Sequence, residues 1–458
     1  MNTLRIAVVG HSNTGKTSLL RTLLRDRDFG QVADRAGTTR HVEGARLQIG
    51  EQDALELFDT PGLEDPSGLR DYLDQLCPSH ERLDGPARIE LFLTSAEATR
   101  RYEQEAKVLR QLLASDAGLY VLDSRDPVLG KHQDELAILA HCARPLLPVL
   151  NFASAPAQRR DAWQTALRRA GLHASVSFDS VAPPADGEAQ LYASLGLLLG
   201  RQQSVLAALS QQLDEQRQQR QQAGLRLLAN LLLDAAAWRQ QVAESAAEQA
   251  INALQNELKR REQACVEQLL ALYGFHRDDA LPDHLPLIAG RWGDDLFNPE
   301  TLKQLGIKVG SGMAAGAATG VGIDLMVGGI TLGAAALLGA LAGGGVQTAR
   351  NYGQRLLGKL RGARELTVDE VLLRLLAARG LWLLHALNAR GHAATTQLQG
   401  HTPEAPWAAA LPSALQDARA HPEWCSWITS ASSGERLLAL ESLQASLATL
   451  ALPKGMKV

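Results

Sequence analysis

Eight residues near the start, Gly10-His11-Ser12-Asn13-Thr14-Gly15-Lys16-Thr17, leave this chain few ways to fold. Leu4-Arg5-Ile6-Ala7-Val8-Val9 before them reads as a buried strand. Thr17-Ser18-Leu19-Leu20-Arg21-Thr22-Leu23-Leu24 after them reads as a helix with leucines on one face. A strand, a loop with glycine at both ends and a helix N-terminus aimed at that loop make a cradle for anions. Backbone N–H groups and the helix dipole both favour negative charge there. The spacing G-x-x-x-x-G-K-[ST] is that of a phosphate loop. Gly10 and Gly15 let the backbone wrap without Cβ clashes. Lys16 is expected on the β- and γ-phosphates and the Thr17 hydroxyl on Mg²⁺, with Asn13, Thr14 and Ser18 lining the same cradle.

At 458 residues, two or three domains are expected. A net charge of −4 gives no electrostatic case for a nucleic-acid partner. Cys77, Cys142, Cys265 and Cys425 lie far apart with no C-x-x-C pair, which argues against a disulfide framework or zinc site and fits a reducing compartment. The first strand begins at once, so a cytoplasmic protein is expected. Aromatics are only 4%, which favours helices over a β-sandwich.

Residues 1–200 alternate strand-like and helix-like segments, predicting an α/β domain. Further strands are predicted at 42–49, 54–58, 118–123, 146–151 and 174–178, with a long helix-prone insertion at 64–114. The charged run Arg100 to Arg110 reads as a solvated helix face. Glu188 to Leu281 contains no proline and predicts long helices broken near Gly224. The expected division is a nucleotide domain over 1–200, a stalk-like segment over 201–300 and a helical domain over 301–458. Capping-box patterns at 367–370 and 432–435 precede leucine-rich helices in the last.

Two more motifs follow the phosphate loop in order. Ala36-Gly37-Thr38-Thr39-Arg40 lies where a loop could order around a γ-phosphate, with a threonine hydroxyl on Mg²⁺. Asp59-Thr60-Pro61-Gly62 ends a strand, placing Asp59 to hold Mg²⁺ through water and the Gly62 N–H against the γ-phosphate.

G-H-S-N-T-G-K-T-S-L-L, A-G-T-T-R-H and L-F-D-T-P-G-L resemble the Era and TrmE (MnmE) branch of small GTPases over residues 1 to 155. The resemblance implies a Ras-like α/β domain that binds and hydrolyses GTP with Mg²⁺, the second threonine, Thr39, being the one on the metal. It also implies that Leu63 stands where Ras has a water-positioning glutamine; leucine has no hydrogen-bonding group. In TrmE-like members a K⁺ ion sits where an arginine finger would, held by an asparagine that matches Asn13. Lys16, Thr39, Asp59 and Gly62 are thus the expected catalytic set.

The likeness weakens where family members carry N-K-x-D to read guanine. Here the run is Asn151-Phe152-Ala153-Ser154: Asn151 is kept, but the lysine and aspartate are not. Asp179 is the nearest replacement carboxylate, though a surface turn is the better reading of it.

Val309 to Gly345 is almost wholly Gly, Ala, Leu, Ile and Val, with Asp324 the single charge between Lys308 and Arg350. One reading is a helical hairpin turning near Gly328-Gly329 and touching a membrane, flanked by basic residues. The other is a hairpin buried in a helical domain, because each arm is short of the roughly 30 Å apolar bilayer core. The expected partners are GTP and GDP. A membrane surface or membrane protein, reached from the inner face of the cytoplasmic membrane, and a nucleotide-dependent homodimer stay open, and nucleic acid is disfavoured. The leading expectation is a GTP-hydrolysing switch that drives a helical effector domain. A soluble ribosome- or RNA-associated GTPase and a nucleotide-binding scaffold without turnover are the alternatives.

Overall fold

Strand β1 (Leu4–Val9) is buried except at Arg5, so the rest of its sequence is apolar rather than alternating. It sits centrally in a six-stranded sheet with β2 (Glu43–Ile49), β3 (Gln52–Asp59), β4 (Ala117–Asp123), β5 (Leu146–Asn151) and β6 (Val176–Ser177). The order is β2-β3-β1-β4-β5-β6, parallel throughout except for β2 against β3. Every strand predicted from the sequence is present. The computed structural model describes residues 3–26, 29, 41–50, 52–76, 83–155, 159–184, 186–275, 287–288, 291–292, 323–326, 363–390, 406–407, 410–428 and 433–451.

Parallel strands need crossovers, and helices supply them on both faces. Ile6, Val8, Leu119, Val121 and Val149 pack with α1 (Lys16–Leu24), α7 (Gly187–Leu199) and Leu206, Leu209 and Leu213 of α8 (Gln203–Ala237). The alternate residues Ala7, Val9, Tyr120, Leu122 and Leu150 face the other way. They meet α2 (Pro66–Leu76), α3 (Gly85–Thr94), α4 (Glu103–Leu113), α5 (Gly130–Ala140) and α6 (Arg160–Arg169). The 64–114 insertion is therefore part of this core: Leu69, Leu73, Ile89, Phe92, Tyr102 and Leu109 are all buried in it.

The chain divides at Arg217 and Gln218 into two units. In the second, Leu225–Ala237 of α8 share one core with α9 (Ala247–Leu272), α10 (Glu370–Ala389), α11 (Ser413–Ala420) and α12 (Gly434–Ala451). From Leu225 onward the helices before residue 275 thus pack with those beyond residue 366 in one core. The break expected near Gly224 does not occur, because α8 runs straight through it. A Cβ on Gly224 would lie 2.5 Å from Leu384, and one on Gly380 would lie 2.3 Å from Leu228. These glycines let α8 and α10 approach closely, and that contact offsets the helix propensity they sacrifice. Buried charges are paired: Arg436 with Asp234 at 3.0 Å, Arg379 with Glu262 at 3.3 Å.

A small sheet interrupts the helices. β7 (Arg239–Ala243) pairs antiparallel with β11 (Ala363–Val368), which pairs with β10 (Ile323–Met326). A separate ribbon joins β8 (Leu287–Ile288) to β9 (Arg291–Trp292). β10 corrects the expected helical hairpin over 309–345: residues 323–326 are extended, with Asp324 in register with Thr367. Pairing with β11 gives the backbone there its hydrogen-bond partners. The rest of 309–345, including Gly328-Gly329, lies outside the described residues. Among the described residues no helix is long and apolar enough to cross a membrane. The cap of α10 is also shifted: Thr367 lies in β11, and Asp369 accepts from the Val371 N–H.

Candidate nucleotide site

The eight-residue loop joins β1 to α1 and closes on itself. Thr14 donates its hydroxyl hydrogen to the His11 carbonyl at 3.0 Å, and Asn13 turns the exposed tip with φ 64°. Gly10 is tight against β4, where a Cβ would fall 2.3 Å from the Val121 carbonyl oxygen. Lys16 folds back so that Nζ donates to the carbonyls of Gly10 (3.0 Å) and His11 (2.7 Å). Burial lowers its pKa, while the charges of Asp59 and Glu135 act to raise it. Ser18 is half-buried in the first turn of α1.

D-T-P-G arrives from the end of β3. Thr17 donates to Asp59 Oδ2 at 2.5 Å, and Asp59 Oδ1 is buried without a hydrogen-bond partner. Burial pushes the Asp59 carboxyl up to about 6, against the Thr17 hydrogen bond and the charge of Lys16. Thr60 anchors the segment by donating to the Val8 carbonyl at 2.6 Å. Gly62 touches the loop so closely that a Cβ would sit 2.6 Å from the Ser12 nitrogen. Leu63 is fully buried and bridges to His11.

The pair Thr17–Asp59 is the chemical fit for a divalent cation: two hard oxygen donors, with one carboxylate atom orphaned and buried. The other metal candidate, Thr39, and its neighbour Thr38 lie outside the described residues.

The Asn151–Ser154 run, which stands where family members carry N-K-x-D, follows β5. Asn151 is buried and spends its amide on scaffolding. Its Nδ2 donates to the Thr14 carbonyl at 3.0 Å, and its Oδ1 accepts from the N–H groups of Phe152 and Ser180. Asp179 is buried as well, which corrects the surface-turn reading. It accepts from the N–H groups of Ser154, Val181 and Ala182, tying the two loops together. Phe152 adopts φ 55° and packs against Gly15. The Arg125 guanidinium stacks on its ring at 4.1 Å and is held by a forked pair with Asp123.

Three groups escaped sequence reasoning. Glu105 is buried on α4 and accepts from the backbone N–H groups of Glu64 and Asp65, gripping the segment after Gly62. The apolar spacing Ala106, Val108, Leu109, Leu112 marked that helix, although Arg100, Arg101, Glu103 and Arg110 are exposed as the charge run predicts. Glu135 is buried and receives a hydrogen bond from Tyr120, and burial pushes it up to about 8. Arg125 carried no motif at all.

A phosphate loop joined to D-T-P-G on this sheet order defines the class: an Era/TrmE-like P-loop GTPase domain, followed by a mostly helical region. The family model described as 50S ribosome-binding GTPase matches residues 5–152. A second model, described as Domain of unknown function (DUF3482), matches residues 164–443, more than half of the sequence, and the chain belongs to that family. GTPase Der of a Nitratiruptor species is 42% identical over 71 residues, 16% of this chain and 15% of that protein. The tRNA modification GTPase MnmE of a Wolbachia from Drosophila simulans is 32% identical over 130 residues, 28% of this chain and 27% of that protein. The chain therefore spans about a quarter or less of the length of these relatives. A match to Aquifex aeolicus Era bound to GDP and AlF4− covers 39% of this chain and 52% of that one at 18% identity, with a TM-score of 0.29.

Proposed function

We propose that this GTP-binding switch is a Mg²⁺-dependent, K⁺-stimulated hydrolase whose nucleotide state is passed to the helical unit. The observation that carries the reading is the Thr17–Asp59 contact with its orphaned buried Oδ1, placed beside Lys16. Thr17 and Thr39 would ligate Mg²⁺ and Asp59 would hold it through a water. When bound, the ion neutralises charge developing on the β- and γ-phosphates. Lys16 exchanges its two carbonyl partners for phosphate oxygens, and the Gly62 N–H reports the γ-phosphate. The close packing of Gly62 on Ser12 supports that role, since a shift of the loop must be felt by the segment that follows.

Leu63 offers no hydrogen bond to an attacking water. Asn13, exposed at the loop tip, is the residue proposed to hold K⁺. Through Glu105, the end of the Gly62 segment is tied to α4, which gives loop movement a path into the helical layer of the first unit.

The test is steady-state GTP turnover by the full chain with Mg²⁺, in KCl and then NaCl. Turnover should require Mg²⁺, run faster in KCl, and lose its K⁺ response in Asn13→Ala. Equal rates in the two salts would remove K⁺ from the reading. Turnover unchanged in Asp59→Asn would remove the metal assignment.

A further inference from the structure

Resting on the nucleotide-binding reading above, we infer that the base is held by stacking on the Phe152–Arg125 pair, with no carboxylate reading its edge. The site then takes purine nucleoside triphosphates with little preference between guanine and adenine.

Four observations converge on this. First, where an edge-reading aspartate would stand, Ser154 offers only a neutral hydroxyl, a weaker partner than a carboxylate for two N–H donors. Second, the nearby Asp179 carboxylate already accepts three backbone N–H groups, out of about four acceptor positions. Turning it towards a base would strand the Ser154, Val181 and Ala182 donors. Third, Asn151 is committed in the same way to Thr14, Phe152 and Ser180.

The fourth observation says what replaces the lost reading. Phe152 sits one residue beyond β5 in a left-handed conformation, φ 55°, unusual for a bulky side chain. That backbone brings its ring against Gly15, so that a Cβ on Gly15 would fall 3.0 Å from Cζ. An aromatic ring is thus fixed beside the phosphate cradle, and it stays partly exposed. Arg125 stacks on it at 4.1 Å, with its guanidinium oriented by Asp123 through contacts of 2.9 and 2.6 Å. A flat ring backed by a flat cation presents a stacking surface to the π-face of any base, and that contact is nearly blind to the pattern of the base's edge. Size still matters: a purine offers more face than a pyrimidine.

Magnitudes separate the two modes. A site built to hydrogen-bond a substrate's edge rejects the mismatched analogue by about 10⁴-fold. Stacking makes no such distinction, and losing an aromatic face costs about tenfold in affinity.

The experiment is competition against a fluorescent GTP analogue bound to the full chain, with GTP, ATP, UTP and inorganic tripolyphosphate as competitors. GTP and ATP should fall within about tenfold of one another and both outcompete UTP. Phe152→Leu should weaken GTP and ATP alike by about tenfold, while tripolyphosphate, which has no base, competes as before. A merely structural role for Phe152 would weaken tripolyphosphate as well, and that result would overturn the inference. Arg125→Ala serves where Phe152→Leu does not fold, since its side chain is 48% exposed; it should reduce both purines to the same extent. A GTP preference on the order of 10⁴, or one abolished by Asp179→Asn, would show that an edge is read after all. Failure of every triphosphate to bind would overturn the nucleotide reading itself, which the other outcomes leave standing.

Discussion

At the phosphate end of the pocket, position is set by backbone. From a hypothetical Cβ, Gly10 lies 2.3 Å from the Val121 carbonyl oxygen and Gly62 2.6 Å from the Ser12 nitrogen, so main-chain atoms do the shaping at those two positions, whereas Gly15 meets the side chains of Asn151 and Phe152. In the loops after β5 and β6, position is set by side chains: Asn151 Oδ1 and the Asp179 carboxylate accept from backbone N–H groups, and Phe152 and Arg125 stack. The phosphate end can hardly vary without steric conflict. The base end can exchange one side chain for another while the loops stay tied. A triphosphate is common to all nucleotides and the base is what differs, so under the stacking proposal substrate choice would reside at the adaptable end.

The largest test of that contrast is Lys16→Ala. It should reduce GTP turnover by about 10³-fold or more, as expected when a preorganised charge at the reacting phosphate is lost. Single-turnover assays read it directly, and a loss of less than tenfold would mean that the backbone cradle suffices alone.

Asn151→Ala should break the contrast, because this residue serves both ends. Its removal leaves the Thr14 carbonyl and the Phe152 and Ser180 N–H groups unpaired in a buried place, at about 2–4 kcal/mol. Denaturant unfolding should show that loss, with GTP and tripolyphosphate weakened together. Loss of GTP binding alone would confine Asn151 to the base.

Gly62→Ala adds a Cβ 2.6 Å from the Ser12 nitrogen and should cost about 1–3 kcal/mol through local displacement. Triphosphate affinity should fall more than diphosphate affinity, measured by titration with GDP and a non-hydrolysable GTP analogue.

The smallest effect is on pH dependence. His11 and His132 meet edge to face at 5.8 Å beside the loop, and each is pushed down to about 4. Burial is the main cause for both, followed by the charge of Lys131, with His132 and Lys16 adding to it at His11. Their folded pKa lies below the unfolded value near 6.5, so the folded state resists protonation. The stability they contribute is present above about pH 6.5 and is lost as pH falls towards about 4. Thermal melts of the nucleotide-free protein should show that acid loss, and His132→Gln should flatten it.

Legibility followed the same division. Gly10, Lys16, Thr17, Asp59 and Gly62 stand out because steric need and phosphate chemistry both demand particular residues at set spacing, and the structure brings these segments together. Glu105 and Arg125 were invisible because their partners are distant in sequence or belong to backbone: Glu105 bonds Glu64 and Asp65, and Arg125 lies on Phe152. Asp179 looked like a turn residue because a short polar run does not say which loop will fold over it.

The second unit shows the reverse weighting. Its helices were readable from composition, yet β7 was not, since Arg239-Gln240-Gln241-Val242-Ala243 has no strand pattern of its own. Pairing with β11 makes it a strand. Gly224 was misread for a related cause: in isolation glycine weakens a helix, whereas against Leu384 it is what lets two helices meet. Local periodicity and fixed-spacing motifs by themselves determined the α/β nucleotide domain, its phosphate cradle and the helical character of the remainder, because those depend on the chain's own sterics. Tertiary structure alone decided which carboxylates are spent on scaffolding, which glycines are contacts, and that the Arg125 guanidinium lies on the Phe152 ring. Each of these depends on contacts between residues remote in sequence, and a linear pattern carries no record of them.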